Sequence, residues 1–331
     1  AEWKELYQKT EKGSAINAVL SRKTRLAMAS KLATKEQIVY IDDRRYQMFH
    51  PEKMEQFLKN CAKGQHGSIV IYEIHLDGSL TRHEFSYDGT HMYLLDCIGV
   101  WLDEKNTGIS QISYNRLKDF KYTKKGWFLY ELCTPEFPEV SEEINASFMM
   151  RVKPIPEEYQ KAAEKYLDPI GYRGNNLFRS DWKEGTMDHL DFDGLYDYLY
   201  VLEYGKEVDS DQYPHGIAKE EFESLMKKYL PVSSFELQKN ALYHEQTKSY
   251  EYQRLGYQNH DILETAIGEI TDIKKQKDGT ITLFVDVVCE MKGTDRVYSH
   301  QLTIQPFGHK RFRYISNQII GNARAQIPAY E

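Results

Sequence analysis

The sequence predicts an α+β fold in two domains, each with helices packed on an antiparallel meander sheet. Three observations carry that prediction. Residues 216–231 read as an amphipathic helix with one buried face, alternating strands punctuated by Asp-Gly pairs recur in both halves, and a proline-rich stretch from Thr134 to Pro156 separates them. At 331 residues the chain exceeds most single hydrophobic cores, so two domains are expected. The reading is an N-terminal helical segment (1–35), a first α+β domain (36–150) and a second (151–331) in which helices precede long strands.

In order, residues 14–33 are Ala-rich, lack Gly and Pro, and predict a helix with Ile16, Val19 and Leu20 on its apolar face and Arg22, Lys23, Arg25 and Lys31 solvated. The alternative for this stretch is a basic stalk near a membrane. Ile38 to Ile41 predicts a strand, broken by Asp42, Asp43, Arg44 and Arg45. His50-Pro51 opens a helix with Met54, Phe57, Leu58 and Cys61 on one face and Gly64 past its end. Strands at two-residue period come next, over Ser68–Leu76, Leu80–Tyr87 and His91–Ile98, with type I′ hairpins expected at Asp77-Gly78 and Asp88-Gly89. Ser110–Tyr122 and Gly126–Cys133 continue the meander.

Pro156 opens the next helix, Glu157 to Leu167. It shares its recipe with Glu220 to Leu230, 63 residues on: acids first, a small or apolar pair, then Lys-Tyr-Leu. Beyond Leu167 and Leu230 the two segments share nothing, so the reading is one packing problem solved twice and not a duplication. Between them, Leu195, Tyr198, Leu199 and Leu202 form a helical stripe, with Asp191 or Asp193 as N-cap and Gly205 as stop. The 216–231 helix buries Phe222, Leu225, Met226, Tyr229 and Leu230 and ends at Pro231. Ser233 and Glu236 then predict a capping box. Strands are predicted over Ser249–Tyr257, Thr265–Gln276, Gly279–Met291, Arg296–Gln305 and Arg311–Ile320. Helices ahead of a long-stranded meander resemble the cone-shaped nuclear transport factor 2-like and cystatin-like folds, a fold analogy that licenses no function.

The net charge of -7 is uneven. Residues 1–153 hold 22 basic and 21 acidic side chains and residues 154–331 hold 21 and 29, so the acidity belongs to the second half. Asp181 to Glu223 alone holds 13 acids and 3 bases. No basic, aromatic-interleaved surface accumulates, which argues against a nucleic-acid partner. No apolar run approaches the ~20 residues that span a bilayer. The first residues read as no signal peptide, and a start at Ala1 without Met reads as a processed product. Cys61, Cys97, Cys133 and Cys289 form no CxxC and are too sparse for a disulfide scaffold or a zinc site. They read as small buried hydrophobes, with one bridge among the first three open in an oxidising compartment.

Candidate chemistry is thin. Aligning Gly194 with the EF-hand glycine puts His189, Asp191 and Asp193 at loop positions 1, 3 and 5, but Tyr200 stands where the bidentate Glu belongs. A Ca²⁺ site from Asp181, Asp188 and Asp191 is the sharper reading, helix caps and a solvated acidic face the blander. The eleven histidines show no HxxxH or HExxH spacing, and there is no GxSxG, Walker loop or GxGxxG. No catalytic, cofactor or metal residue is therefore assigned, and no cofactor is expected. Tyr196, Tyr198, Tyr200, Tyr204 and Tyr213 cluster among the acids, a composition suited to glycan or peptide recognition, and a pocket is expected between them and the concave face of the C-terminal sheet.

Two stretches carry a resemblance. Lys53 to Gly89, with Ile69-Val70-Ile71-Tyr72 and Phe85-Ser86-Tyr87-Asp88-Gly89, resembles an uncharacterised domain of secreted Bacillus and Clostridium-type proteins. Tyr166-Leu167, Gly171-Tyr172, Asp181-Trp182, Tyr213-Pro214, Lys228-Tyr229-Leu230-Pro231-Val232 and Val288-Cys289-Glu290-Met291 are similar to an uncharacterised lipoprotein family of gut Firmicutes. The resemblance implies an exported chain of a Gram-positive bacterium, held at the membrane by a lipidated cysteine upstream of Ala1, and supplies no activity. The expected function is a non-enzymatic cell-surface or extracellular binding protein. The alternative is a secreted hydrolase with a pocket lined by Asp188, Asp191 or Asp197 in the C-terminal domain.

Overall fold

A computed structural model describes residues 7–8, 19–41, 47–103, 106–133, 146–253, 262–308 and 311–327. The α+β class holds, and the chain divides into two compact units, Ala1–Ile155 and Pro156–Glu331. Among the described residues no helix is long and apolar enough to cross a membrane.

In the first unit, β1 (Ile38–Ile41), β2 (Gln47–Phe49), β3 (Gly67–Ile74), β4 (Leu80–Tyr87), β5 (Met92–Trp101), β6 (Thr107–Tyr122), β7 (Trp127–Leu132) and β8 (Ser147–Arg151) form one sheet in the order β2-β1-β3-β4-β5-β6-β7-β8. Among the described residues two helices cover it, α1 (Arg22–Ala33) and α2 (Pro51–Cys61). All four residues of β1 are buried because the strand is covered on both faces: Ile38 and Tyr40 join the α2 core, Val39 and Ile41 the α1 core. The predicted α2 face, Met54, Phe57, Leu58 and Cys61, is the buried one. On α1 the buried face differs from expectation. Arg25, expected in solvent, is buried with Met28, Ala29 and Ala33, Leu20 packs beside them, Val19 faces solvent, and Ile16 lies outside the described residues, as do Asp42 to Arg45.

Two strand expectations are corrected. The sheet is not wholly antiparallel: β1 pairs β3 in parallel, the two joined through α2. A crossover helix is what a parallel pair requires. Residues 147–151, predicted to belong to the proline-rich boundary, form β8 against β7. The hairpin turns also differ from type I′, which needs left-handed conformations at both central residues. Among described non-glycine residues those occur at Glu36, His50 and Lys248, none of them an Asp of these turns. Instead Gly78, Gly126 and Gly279 donate to the carbonyls of His75, Thr123 and Gln276 with only the glycine left-handed. In two of the three turns, Asp77 and Asp278 accept from the backbone N–H two residues on, the Asx mimicry that explains the signal.

On the α2 side of this sheet lies a charged triad. His83 on β4 contacts Asp96 through Nδ1 at 2.7 Å and Glu73 through Nε2 at 2.8 Å. A neutral imidazole carries one N–H, so two carboxylate acceptors require the charged ring. Burial opposes that charge, but the bonds to Asp96 and Glu73 outweigh it and push the His83 pKa up to about 9.

The second unit is built on β13 (Ile267–Lys275), β14 (Ile281–Val288), β15 (Ser299–Phe307) and β16 (Arg311–Ile319), with β9 (Trp182–Lys183) added at the β16 edge. Its helices are α3 (Glu157–Tyr166), α4 (Phe192–Tyr204), α5 (Lys219–Tyr229) and α6 (Ser234–Asn240). A small sheet, β10 (Ile217–Ala218), β12 (Ser249–Tyr250) and β11 (Tyr243–His244), joins α5 and α6 to the rest. The predicted α5 stripe is buried entirely, Asp191 and Gly205 close α4, and Ser233 and Glu236 form the capping box. The predicted strand over 249–257 reduces to β12, with 254–260 outside the described residues. The matching ends of α3 and α5 meet at one ring: Tyr166 and Tyr229 both lie edge-on to Phe312, at 4.9 and 5.9 Å.

Two outcomes are expected. Phe312→Ala should destabilise the chain by about 3–5 kcal/mol, and Phe312→Leu by distinctly less, in urea unfolding. Because the folded pKa of His83 lies above its ordinary 6.5, its stabilisation is complete below that value and fades as pH rises through about 9. Protection factors of β3–β5 amides in the full chain, corrected for the intrinsic rise of exchange with pH, should fall over this interval, and His83→Gln should flatten the fall.

Candidate functional site

The region around the N-terminal half of α5 gathers a dense set of aromatic and carboxylate contacts. Phe222 stacks on Tyr196 from α4 (5.4 Å, 3° between planes) and on Tyr250 from β12 (4.0 Å, 14°), and Tyr250 meets Tyr243 at 5.0 Å. The residues flanking Phe222 receive the phenol hydroxyls. Tyr196 and Tyr213 both donate to Glu221, and Tyr250 donates to Glu223 at 3.1 Å.

Glu223 is a carboxylate at 5% exposure in the middle of an apolar stripe, which sequence reading did not anticipate. It also accepts from Lys227 at 2.8 Å, Gln238 at 2.9 Å and the Ser234 hydroxyl. Burial alone would raise its pKa, but these four donors pull it down to about 2. The group is a permanent anion tying α5, α6 and β12 together.

The candidate groove, about 640 Å³, opens on the small sheet, lined by His215, Tyr243, His244, Glu245, Gln246, Thr247 and Ser249. It lies on the small sheet and not on the large-sheet face where a pocket was expected. Thr247 and Ser249 share a hydroxyl bond of 2.7 Å, and Ser249 donates to the His215 carbonyl. Lys248, left-handed at φ 49°, makes the tight return between β11 and β12. A second groove of about 720 Å³ lies beside β16, among Lys183, Lys227, Leu230, Ser233, Arg313 and Ile315.

The predicted tyrosines divide by role. Tyr196 and Tyr200 are core; Tyr198 donates to the Arg173 carbonyl at 2.5 Å; Tyr204 is 54% exposed; Tyr213 is half-buried and its ring lies tilted against Tyr252 at 5.4 Å. The predicted acids are not brought to one point. Asp181 accepts from the Ile319 N–H at 2.6 Å and pairs with Arg324, Asp188 lies 3.5 Å from His189, Asp191 caps α4, and Asp197 accepts from Tyr252 at 3.3 Å. Among the described residues no group of three His, Cys, Asp or Glu side chains is arranged to hold a metal ion. No disulfide joins Cys61, Cys97, Cys133 and Cys289, and the first and last of these are buried.

Of the two N-cap candidates Asp191 is the cap, and Asp193 stands in the first turn of α4. It is 8% exposed and accepts from the Leu242 N–H at 3.1 Å. Burial first, then the charges of Asp191 and Glu251, push its pKa up to about 7 against that hydrogen bond. A raised carboxyl pKa means ionisation opposes folding, so this penalty is absent below about 4 and complete above about 7. Asp193→Asn should raise stability at pH 8 by up to about 4 kcal/mol, at about 1.4 kcal/mol per pKa unit, and change little at pH 4. Urea midpoints at the two pH values check it.

Residues 1–331 match the Family of unknown function (DUF6070). Nothing among curated proteins and nothing among solved structures matches the chain. The match spans every residue, and the chain belongs to this family of unknown function.

Proposed function

We propose that the protein is a non-enzymatic extracellular binding protein whose ligand, a glycan segment, seats in the groove at the β11–β12 hairpin. The composition of the groove is the observation that supports this. Tyr243, His215 and His244 bring rings to the lining, while Thr247, Ser249, Gln246 and Glu245 bring polar groups from the hairpin. Polyhydroxylated rings are held by apolar stacking combined with several neutral or charged acceptors. The hydrolase reading draws less support, since Asp188, Asp191 and Asp197 each serve a separate local contact. The extracellular placement, in a Gram-positive bacterium with a lipid anchor upstream of Ala1, rests on the resemblance to secreted and lipoprotein sequences.

A glycan array probed with the full chain tests the reading. Retention of a glycan is expected, and Tyr243→Ala should weaken it by about tenfold or more, as loss of a stacking residue does, while far-UV circular dichroism shows the fold retained. Retention of peptides alone, or release of cleaved sugar, would overturn it.

A further inference from the structure

Among its described residues, the first unit leaves one stretch of sheet edge without a partner strand. β6 pairs with β5 along Thr107–Arg116, whereas its pairing with β7 begins only at Leu117. Among the described residues no strand occupies the β7-side edge of Thr107–Asn115. The direction of its hydrogen-bonding groups is set by one contact: Cys133 N–H donates to the Arg116 carbonyl at 2.9 Å, so Arg116 faces that edge. Alternation then turns the N–H and C=O of Ile112 and Tyr114 outward as well.

Natural sheets blunt such edges with shortness, charge, proline or a cover. The other edges comply. β2 has three residues and β8 five; β13 carries Glu269, Asp272, Lys274 and Lys275; β16 carries Arg311 and Arg313 and is partly paired by β9. Thr107 to Asn115 is neither short, charged nor interrupted by proline, and no described strand covers it. Ile109, Ile112 and Tyr114 are each 64% exposed. Tyr114 is held ready, stacked on Tyr93 at 5.7 Å with planes 1° apart.

We propose that this edge is the interface for a second copy of the chain, joined antiparallel, β6 to β6, about a twofold axis at Ser113. The outward groups dictate the register. Ile112 and Tyr114 of one copy form hydrogen-bonded pairs with Tyr114 and Ile112 of the other, which also brings Ile against Tyr on one face, an apolar cross-strand pair. Gln111 then faces Asn115 on the opposite face. An uncharged strand meets its own copy without repulsion, and a twofold contact closes at two subunits. A charged peptide finds no complementary charge here.

Sedimentation of the full chain over a series reaching about 10⁻⁴ M should show a concentration-dependent dimer. The double variant Ile112→Lys, Tyr114→Lys sets four cations around the axis and should raise the dissociation constant at least about tenfold. Both side chains point to solvent, so circular dichroism should be unchanged. Independently, Ser113→Cys should form a disulfide-linked dimer on mild oxidation, since non-hydrogen-bonded partners sit about 4.5 Å apart, whereas Ser110→Cys should not. A monomer at every concentration, a dimer indifferent to the lysines, or an edge that takes up only an unrelated extended peptide would each overturn the proposal.

Discussion

The second unit depends on a single phenyl ring. Phe312 projects from β16 into the space where α3 and α5 both end, and each helix meets it with a tyrosine edge. The residue after each tyrosine, Leu167 and Leu230, is buried beside it. The Tyr314 hydroxyl fixes the end of α3 by donating to the Tyr166 carbonyl at 2.9 Å. Arg313 fixes the end of α5 by donating to the Lys227 carbonyl at 2.7 Å. Three consecutive strand residues thus satisfy the two helix ends that the strand packs. The repeated Lys-Tyr-Leu signature is the sequence trace of that shared target, which is why the likeness stops where the helices stop.

Polar groups inside the units are settled by what surrounds them. His83 lies between two carboxylates and holds its charge far above the ordinary histidine range, whereas His300, fully buried, has its pKa pushed down to about 4 by burial despite the bond to Asn317. Its neutral tautomer is fixed by its partners. Tyr172 donates to Nε2 at 2.8 Å, the Nδ1–H donates to Asn317 at 2.6 Å, and Asn317 donates onward to the Ser180 carbonyl at 2.8 Å. One imidazole is therefore an ion that binds strands together, the other a neutral link between β15, β16 and the segment around Tyr172. Both are structural, and neither faces the candidate groove.

Legibility from sequence tracked locality. The α5 stripe, the Ser233–Glu236 box, the Asp191 cap and the strand spans β4, β13 and β16 rest on residues within one or two turns of each other, and those signals sufficed. The parallel β1–β3 pair was missed because four apolar residues give no sign of their partner's direction. β8 was missed because five residues among prolines show no period. Glu223 was missed for a different reason: its burial depends on Gln238, Ser234 and Tyr250, up to 27 residues away, and a lone Glu in a helix reads as solvent-facing. The groove was missed with it, since β11 and β12 hold two residues each.

The acidity of the second half has a local explanation that a summed charge conceals. Asp191 caps α4, Asp209 caps the short turn before Tyr213, Asp278 closes a hairpin, and Asp181 accepts from the β16 backbone. Each of these carboxylates meets backbone N–H groups that a turn or strand end leaves unpaired, a task at which Asp excels because its side chain is short. Glu221, Glu223 and Glu203 serve differently, by receiving tyrosine hydroxyls. Tyrosine and acid are abundant together because a half-buried phenol needs an acceptor at its polar end, and a helix can supply one from the residue beside its own apolar stripe. Around α5, acid and tyrosine are thus two halves of one packing device.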